Sequence, residues 1–137
     1  MQYKRLNEVN LSNKTVLLRL DLNTPIENGL VINNERILRS LPTLNFIIDA
    51  GARLVIMSHL GRPQENDIFQ EEFSLLPVVN EMENLLNKKI MFYNLGEFES
   101  LEKIPEISVI ENTRFCIGEN SNDIDLSKRF AGLGDLV

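Results

Sequence analysis

"RLVIMSHLGRP", residues 53 to 63, decides the fold. Leu54, Val55, Ile56 and Met57 are apolar at consecutive positions, so a strand here would bury both faces, the pattern of a parallel sheet covered by helices. After Met57 the chain changes character: its single histidine, His59, is succeeded by Gly61, Arg62 and Pro63. That run is too polar for a core. It sits just past the carboxyl end of a strand, where open parallel sheets present their ligand sites.

Upstream, "TVLLRLDLN" (15–23) repeats the pattern, with Val16, Leu17, Leu18, Leu20 and Leu22 on both faces of a strand. Between the two lies "NNERILRSLPTLNFIIDAG" (33–51), where Ile37, Leu41, Leu44 and Ile48 recur at helical spacing, Asn33 or Asn34 can cap the start and Gly51 marks the stop. Pro42 is awkward inside such a helix and predicts a kink, or a first turn at that point. Downstream, "FSLLPVVNEMENLLNKK" (73–89) predicts a helix capped by Ser74, with Val78, Met82, Leu85 and Leu86 on one face. "KIMFY" and "ISVIEN" read as short strands ending near 93 and 112, and "DLSKRFAGLG" (125–134) as a last helix. Residues 63–72 and 117–124 are polar and read as loops, and "DLV" (135–137) as the opening of a further strand. Strands alternating with helices predict an α/β fold with a parallel sheet and right-handed crossovers. A core strand of three residues leaves backbone groups unpaired, so the chain reads as part of something longer.

Composition narrows the function. With 137 residues, 43% hydrophobic and 25% charged, the chain suits one domain with an ordinary core. A net charge of −6 argues against a general nucleic-acid binder, which needs a basic surplus. No apolar run approaches the ~20 residues of a membrane span, and "MQYKRLNEVN" lacks the apolar centre of a secretory signal. Cys116, the lone cysteine, can form neither an internal disulfide nor a multi-cysteine metal site, and a reducing cytoplasm suits it.

The chemistry gathers past the strand ends. Asp21 and Asn23 follow the first, His59, Gly61 and Arg62 the second, and Arg114 in "ENTRF" the fourth, while Arg36 opens the first helix near the same edge. Singly, each has a duller reading. Asp21 and Asn23 fit turns, Arg36 an i,i+4 pair, Arg62 a solvated charge, and Arg114 a pair with Glu111 or Glu119. Together, three arginines and a histidine at one rim of an acidic protein point to a small polyanion. Arginine offers a planar fork of donors to phosphate or carboxylate. No G-x-x-x-x-G-K-[ST] loop occurs, and one His with one Cys cannot make a zinc site.

"LLRLDLNTP", "NNERILRSLPT", "LVIMSHLGRP", "FSLLPVV", "VIENTRF" and "FAGLGDLV" fall in the order and spacing of phosphoglycerate kinases, and the chain resembles that family throughout its length. The resemblance implies a Rossmann-like parallel sheet with helices on both faces, the N-terminal, substrate-binding domain of a two-domain kinase. Residues 1–137 would be an incomplete form of that domain, with the nucleotide-binding C-terminal domain outside it. It implies reversible phosphoryl transfer between 1,3-bisphosphoglycerate and ADP, giving 3-phosphoglycerate and ATP in glycolysis, by a cytoplasmic monomer. Matched residue by residue, Asp21 and Asn23 would hold substrate hydroxyl or carboxylate groups. His59, Arg62 and Arg114 would bind the substrate phosphate and its surroundings, and Arg36 would stabilise the phosphoryl group in flight as the catalytic cation. Mg-ATP or ADP would bind outside this chain, and no metal or cofactor site falls within it.

The sequence departs from the family's usual Phe, Val and Val at Leu22, Thr24 and Thr113. These changes are mild, and the site is expected to survive them. A domain that cannot position ATP is expected to be inactive alone. The competing expectations are a freestanding module that binds a phosphorylated metabolite, and a receiver-type domain with Asp21 as phosphoacceptor. The latter lacks the second carboxylate that a bound magnesium would require.

Overall fold

Alternate residues of each strand divide the core in two. In the computed structural model, which describes residues 2–137, β1 (Thr15–Arg19) turns Val16 to one face of its sheet and Leu17 to the other. β4 (Arg53–Met57) does the same, with Leu54 and Ile56 opposed to Val55 and Met57. The first face is covered by α1 (Glu35–Asp49), through Ile37, Leu44, Ile47 and Ile48, and by α2 (Leu76–Leu86), through Val78, Val79 and Met82. The second is covered by Leu95 and Phe98 of α3 (Leu95–Glu99) and Leu126 of α4 (Ile124–Ala131). The strand order is β1-β4-β6-β5, all pairs parallel, with β5 spanning Met91–Tyr93 and β6 Ile107–Ile110. This is the parallel α/β architecture, helices on both faces, that the apolar strand pattern predicts. Leu17, Leu54, Val55 and Ile56 are all at most 1% exposed, so central strands carry no polar alternation to read.

Local chemistry corrects several details. α1 continues through Pro42 as one element, so the proline marks no first turn; its ring nitrogen leaves one helical carbonyl without a donor. Asn34 is the residue before α1 but makes no side-chain cap, whereas Asn33 Oδ1 accepts from the Glu35 N–H at 3.0 Å. α2 begins three residues later than expected. Ser74 still accepts from the Leu76 N–H, but its hydroxyl donates to Glu111, which draws it to the sheet.

Two elements were not anticipated. β2 (Ile26–Glu27) and β3 (Leu30–Val31) form an antiparallel hairpin across Asn28 and Gly29, both at positive φ, as a two-residue hairpin turn requires. The five-residue α3 is held by a capping box, Asn94 accepting from the Glu97 N–H and Glu97 from the Asn94 N–H. Beyond α4, a Cβ at Gly134 would lie 2.9 Å from the Thr15 carbonyl. Only glycine lets the chain approach β1 there, where Leu136 bridges Val16 in parallel and Asp135 accepts from the Thr15 N–H. The expected strand opening at "DLV" takes this form. Among the described residues, no helix is long and apolar enough to cross a membrane.

Candidate anion site at the strand ends

Parallel strands put their carboxyl ends on one edge, so loops distant in sequence meet there. β4 ends at Met57, and the chain turns through His59 and Leu60 to Gly61, whose φ of +61° suits glycine and whose absent Cβ would strike the Phe73 ring at 2.7 Å. Both backbone groups of Gly61 are then used by neighbouring strand ends. Its N–H donates to Asn23 Oδ1 at 3.1 Å, and its carbonyl accepts from Arg114 Nη1 at 2.8 Å. Asn112 fixes the same corner. Its side-chain amide donates to the carbonyls of Leu60 and Phe73, and its Oδ1 accepts from the Arg114 N–H. An asparagine only 1% exposed therefore ties the loop after β6 to the loop after β4.

Arg36, in the first turn of α1, donates through Nη1 to Asp21 Oδ2, and Asp21 Oδ1 accepts from the Asn23 N–H. Burial pushes the Asp21 carboxyl up, but the Asn23 N–H and the Arg36 guanidinium outweigh it and leave the group below its ordinary value. His59 is pushed down, first by burial and then by Arg114 and Arg19, against the opposing pull of Asp21 and Glu119. An imidazole so placed loses its proton more readily than a free one.

Hydrogen bonds thus link five residues, Arg36, Asp21, Asn23, Gly61 and Arg114, in one chain of contacts, with His59 within electrostatic reach of Asp21 and Arg114. Arg62 adjoins this chain through Gly61; its side chain is exposed and is joined to the cluster by no hydrogen bond or ion pair among the described residues. Arg114 faces Glu119, at 3.7 Å. Glu111, the other partner considered, is occupied by the Ser74 hydroxyl and the N–H groups of Leu75 and Asn112.

The sequence pattern does not point to Arg19 or Asn112, and it offers Glu119 only as one of two pairing partners for Arg114, the one the structure shows. Arg19, the last residue of β1, lies 3.5 Å from Glu119 and acts on His59. It stands two residues before Asp21, on the strand rather than past its end, and so escaped a search confined to loops. Thr24 and Thr113 are buried, and neither hydroxyl finds a hydrogen-bond partner among the described residues, so these departures from apolar residues leave a polar atom unsatisfied at each position.

Two other features stand apart. A cavity of about 610 Å³ opens at the ends of β5 and β6, lined by Tyr93, Asn94, Glu97, Phe115 and Cys116, and takes none of the six residues singled out. Burial pushes the Cys116 thiol up to about 11, which makes it an inert side chain at neutral pH. No group of three or more His, Cys, Asp or Glu that could hold a metal ion occurs among the described residues.

Comparison with known proteins gives the surroundings of this site. A family model described as phosphoglycerate kinase matches residues 6–137. The phosphoglycerate kinase of Buchnera aphidicola subsp. Schizaphis graminum is 37% identical over 137 residues, 99% of this chain and 35% of the relative. That of Coxiella burnetii is 43% identical over 132 residues, 96% of this chain and 33% of the relative. The solved structure of phosphoglycerate kinase from Coxiella burnetii superposes with a TM-score of 0.85 at 42% identity, covering 95% of this chain and 33% of that one. The enzyme from Pyrococcus horikoshii OT3 superposes with a TM-score of 0.79 at 27% identity, covering 96% and 35%. The chain spans about a third of the length of the relatives it matches.

Proposed function

The chain belongs to the phosphoglycerate kinase family, and from that premise we propose that it is the 3-phosphoglycerate-binding part of an enzyme that moves a phosphoryl group between 1,3-bisphosphoglycerate and ADP, giving 3-phosphoglycerate and ATP. The observation that carries the reading is the contact chain from Arg36 through Asp21, Asn23 and Gly61 to Arg114, which gathers cationic donors from separate strand ends of an acidic protein. In this reading Arg114, Arg62 and protonated His59 take the ester phosphate. Asn23 spends its carbonyl on Gly61 and turns its amide donors to the ligand, and Asp21 accepts from the ligand hydroxyl. Arg36 reaches the carboxyl end, where the phosphoryl group arrives, and stabilises the charge that develops there.

The strand-end loops here hold no glycine-rich phosphate cradle, and these residues serve the ester rather than nucleotide or magnesium. Mg-ATP or ADP belongs to the nucleotide domain of the complete enzyme, which acts in the cytoplasm as a monomer. Residues 1–137 alone bind the ester and turn nothing over, because transfer requires closure around both substrates.

A proton NMR titration of His59 tests the reading. Free, its midpoint lies below the ordinary value of about 6.5. A bound phosphate favours the imidazolium, so 3-phosphoglycerate raises that midpoint, whereas glycerol does not. A midpoint indifferent to saturating 3-phosphoglycerate refutes the assignment.

A further inference from the structure

Glu119 presents one oxygen to each of two guanidiniums. Oε1 lies 3.5 Å from Arg19 Nη2 and Oε2 lies 3.7 Å from Arg114 Nε, and the carboxylate side chain is only 12% exposed. Those separations are charge contacts rather than hydrogen bonds, so their effect is to hold and orient. The mount is firm. The Glu119 N–H donates to the Cys116 carbonyl, and the N–H groups on either side, of Gly118 and Asn120, donate to the Glu65 carboxylate at 2.5 and 3.1 Å. The Ile117 N–H donates to Asp67. The loop after β4 therefore clamps the turn that carries Glu119 from below.

The charges make such a group necessary. Arg19, Arg36, Arg114 and His59 crowd one edge, and Asp21 already serves Arg36. Without a second carboxylate, Arg19 would lose its ion-pair partner and Arg114 would be held by the Gly61 carbonyl alone, since long charged side chains hold a geometry only when something holds them. With it, the Nε edge of Arg114 faces Glu119 and Nη1 faces the Gly61 carbonyl, which leaves Nη2 directed elsewhere.

We propose that Glu119 is a positioning residue of the anion site, a single carboxylate that couples Arg19 at the end of β1 to Arg114 after β6 and so sets the arrangement of the two guanidiniums before a ligand binds. The inference rests on the reading of the strand ends as a 3-phosphoglycerate site. It has a consequence opposite to bulk electrostatics. Removing a negative charge from an acidic protein ought to tighten anion binding; removing a positioning group weakens it.

The experiment measures 3-phosphoglycerate affinity and the His59 midpoint in the 137-residue chain and in Glu119→Gln and Glu119→Asp. For Glu119→Gln the expected result is affinity weakened by up to about fivefold. The expected His59 midpoint lies below that of the unsubstituted chain, because Arg19, Arg114 and Asp21 remain around the imidazole while one anion facing it is gone. A chain that has merely lost its fold gives the reverse, a midpoint returning toward about 6.5. If Glu119→Gln does not fold, Glu119→Asp decides: it keeps the charge and withdraws it by one bond, so the His59 midpoint holds while affinity falls. Equal or tighter binding by either variant, or an unmoved midpoint in folded Glu119→Gln, overturns the inference alone. An unsubstituted chain whose His59 ignores the ester overturns the site and the inference together.

Discussion

Arg36 is the residue on which the proposed chemistry turns. Its guanidinium is about half exposed, and one of its terminal nitrogens is already held by Asp21. That pairing fixes the side chain over the strand ends without using up its fork, leaving further N–H donors for a ligand. In the complete enzyme, Arg36→Ala is expected to lower kcat by about 10²-fold or more while KM for 3-phosphoglycerate changes little, the signature of a contact made in the transition state. Steady-state kinetics with the ester varied at saturating nucleotide checks this, and a raised KM at unchanged kcat would move Arg36 to ground-state binding. Asp21→Asn provides the matching control. It keeps the shape but loses the charge that holds Arg36, so it reproduces part of the kcat loss without removing the cation.

At the scale of elements, α1 carries an internal contradiction. Pro42 sits mid-helix on an exposed position, where it removes one N–H and strains the preceding turn, yet the helix continues to Asp49. Four buried aliphatic residues, Ile37, Leu44, Ile47 and Ile48, hold both halves against the sheet, so burial outweighs a local penalty of about 3 kcal/mol. Pro42→Ala should therefore stabilise the chain by about 1–3 kcal/mol, read as a raised urea midpoint at unchanged slope. The same competition explains what the letters disclosed. β1, β4 and α1 were legible because long apolar patterns dominate everything local to them. The hairpin over residues 26–31 and the short α3 were not, because each rests on a turn or a cap only a few residues long. At the strand ends, residue types pointed to Asp21, Asn23, His59 and the arginines. The tie from buried Asn112 to Leu60 and the contact of Glu119 with Arg19 span 52 and 100 positions respectively, which no local pattern encodes.

The whole molecule carries a net charge of −6, yet the proposed ligand is itself an anion. Capture must therefore work against the mean field and depend on a local patch, which makes its salt dependence informative. Arg62 is the clearest probe. Exposed, and outside the hydrogen-bonded chain that joins Arg36 to Arg114, it adds attraction while doing little to hold the loop. Screening acts over about 10 Å at 0.1 M salt and about 3 Å at 1 M, so a contribution of this kind fades as salt rises. Arg62→Ala is thus expected to weaken 3-phosphoglycerate binding by about fivefold to tenfold at low ionic strength. The deficit should narrow toward twofold or less near 1 M, because the unsubstituted chain loses affinity faster than the variant. Calorimetric titrations of both chains across a salt series give the comparison. A deficit that stays constant with salt would overturn the view that exposed Arg62 meets the ester phosphate as a screened, solvent-facing pair, and would place that contact in a desolvated pocket instead.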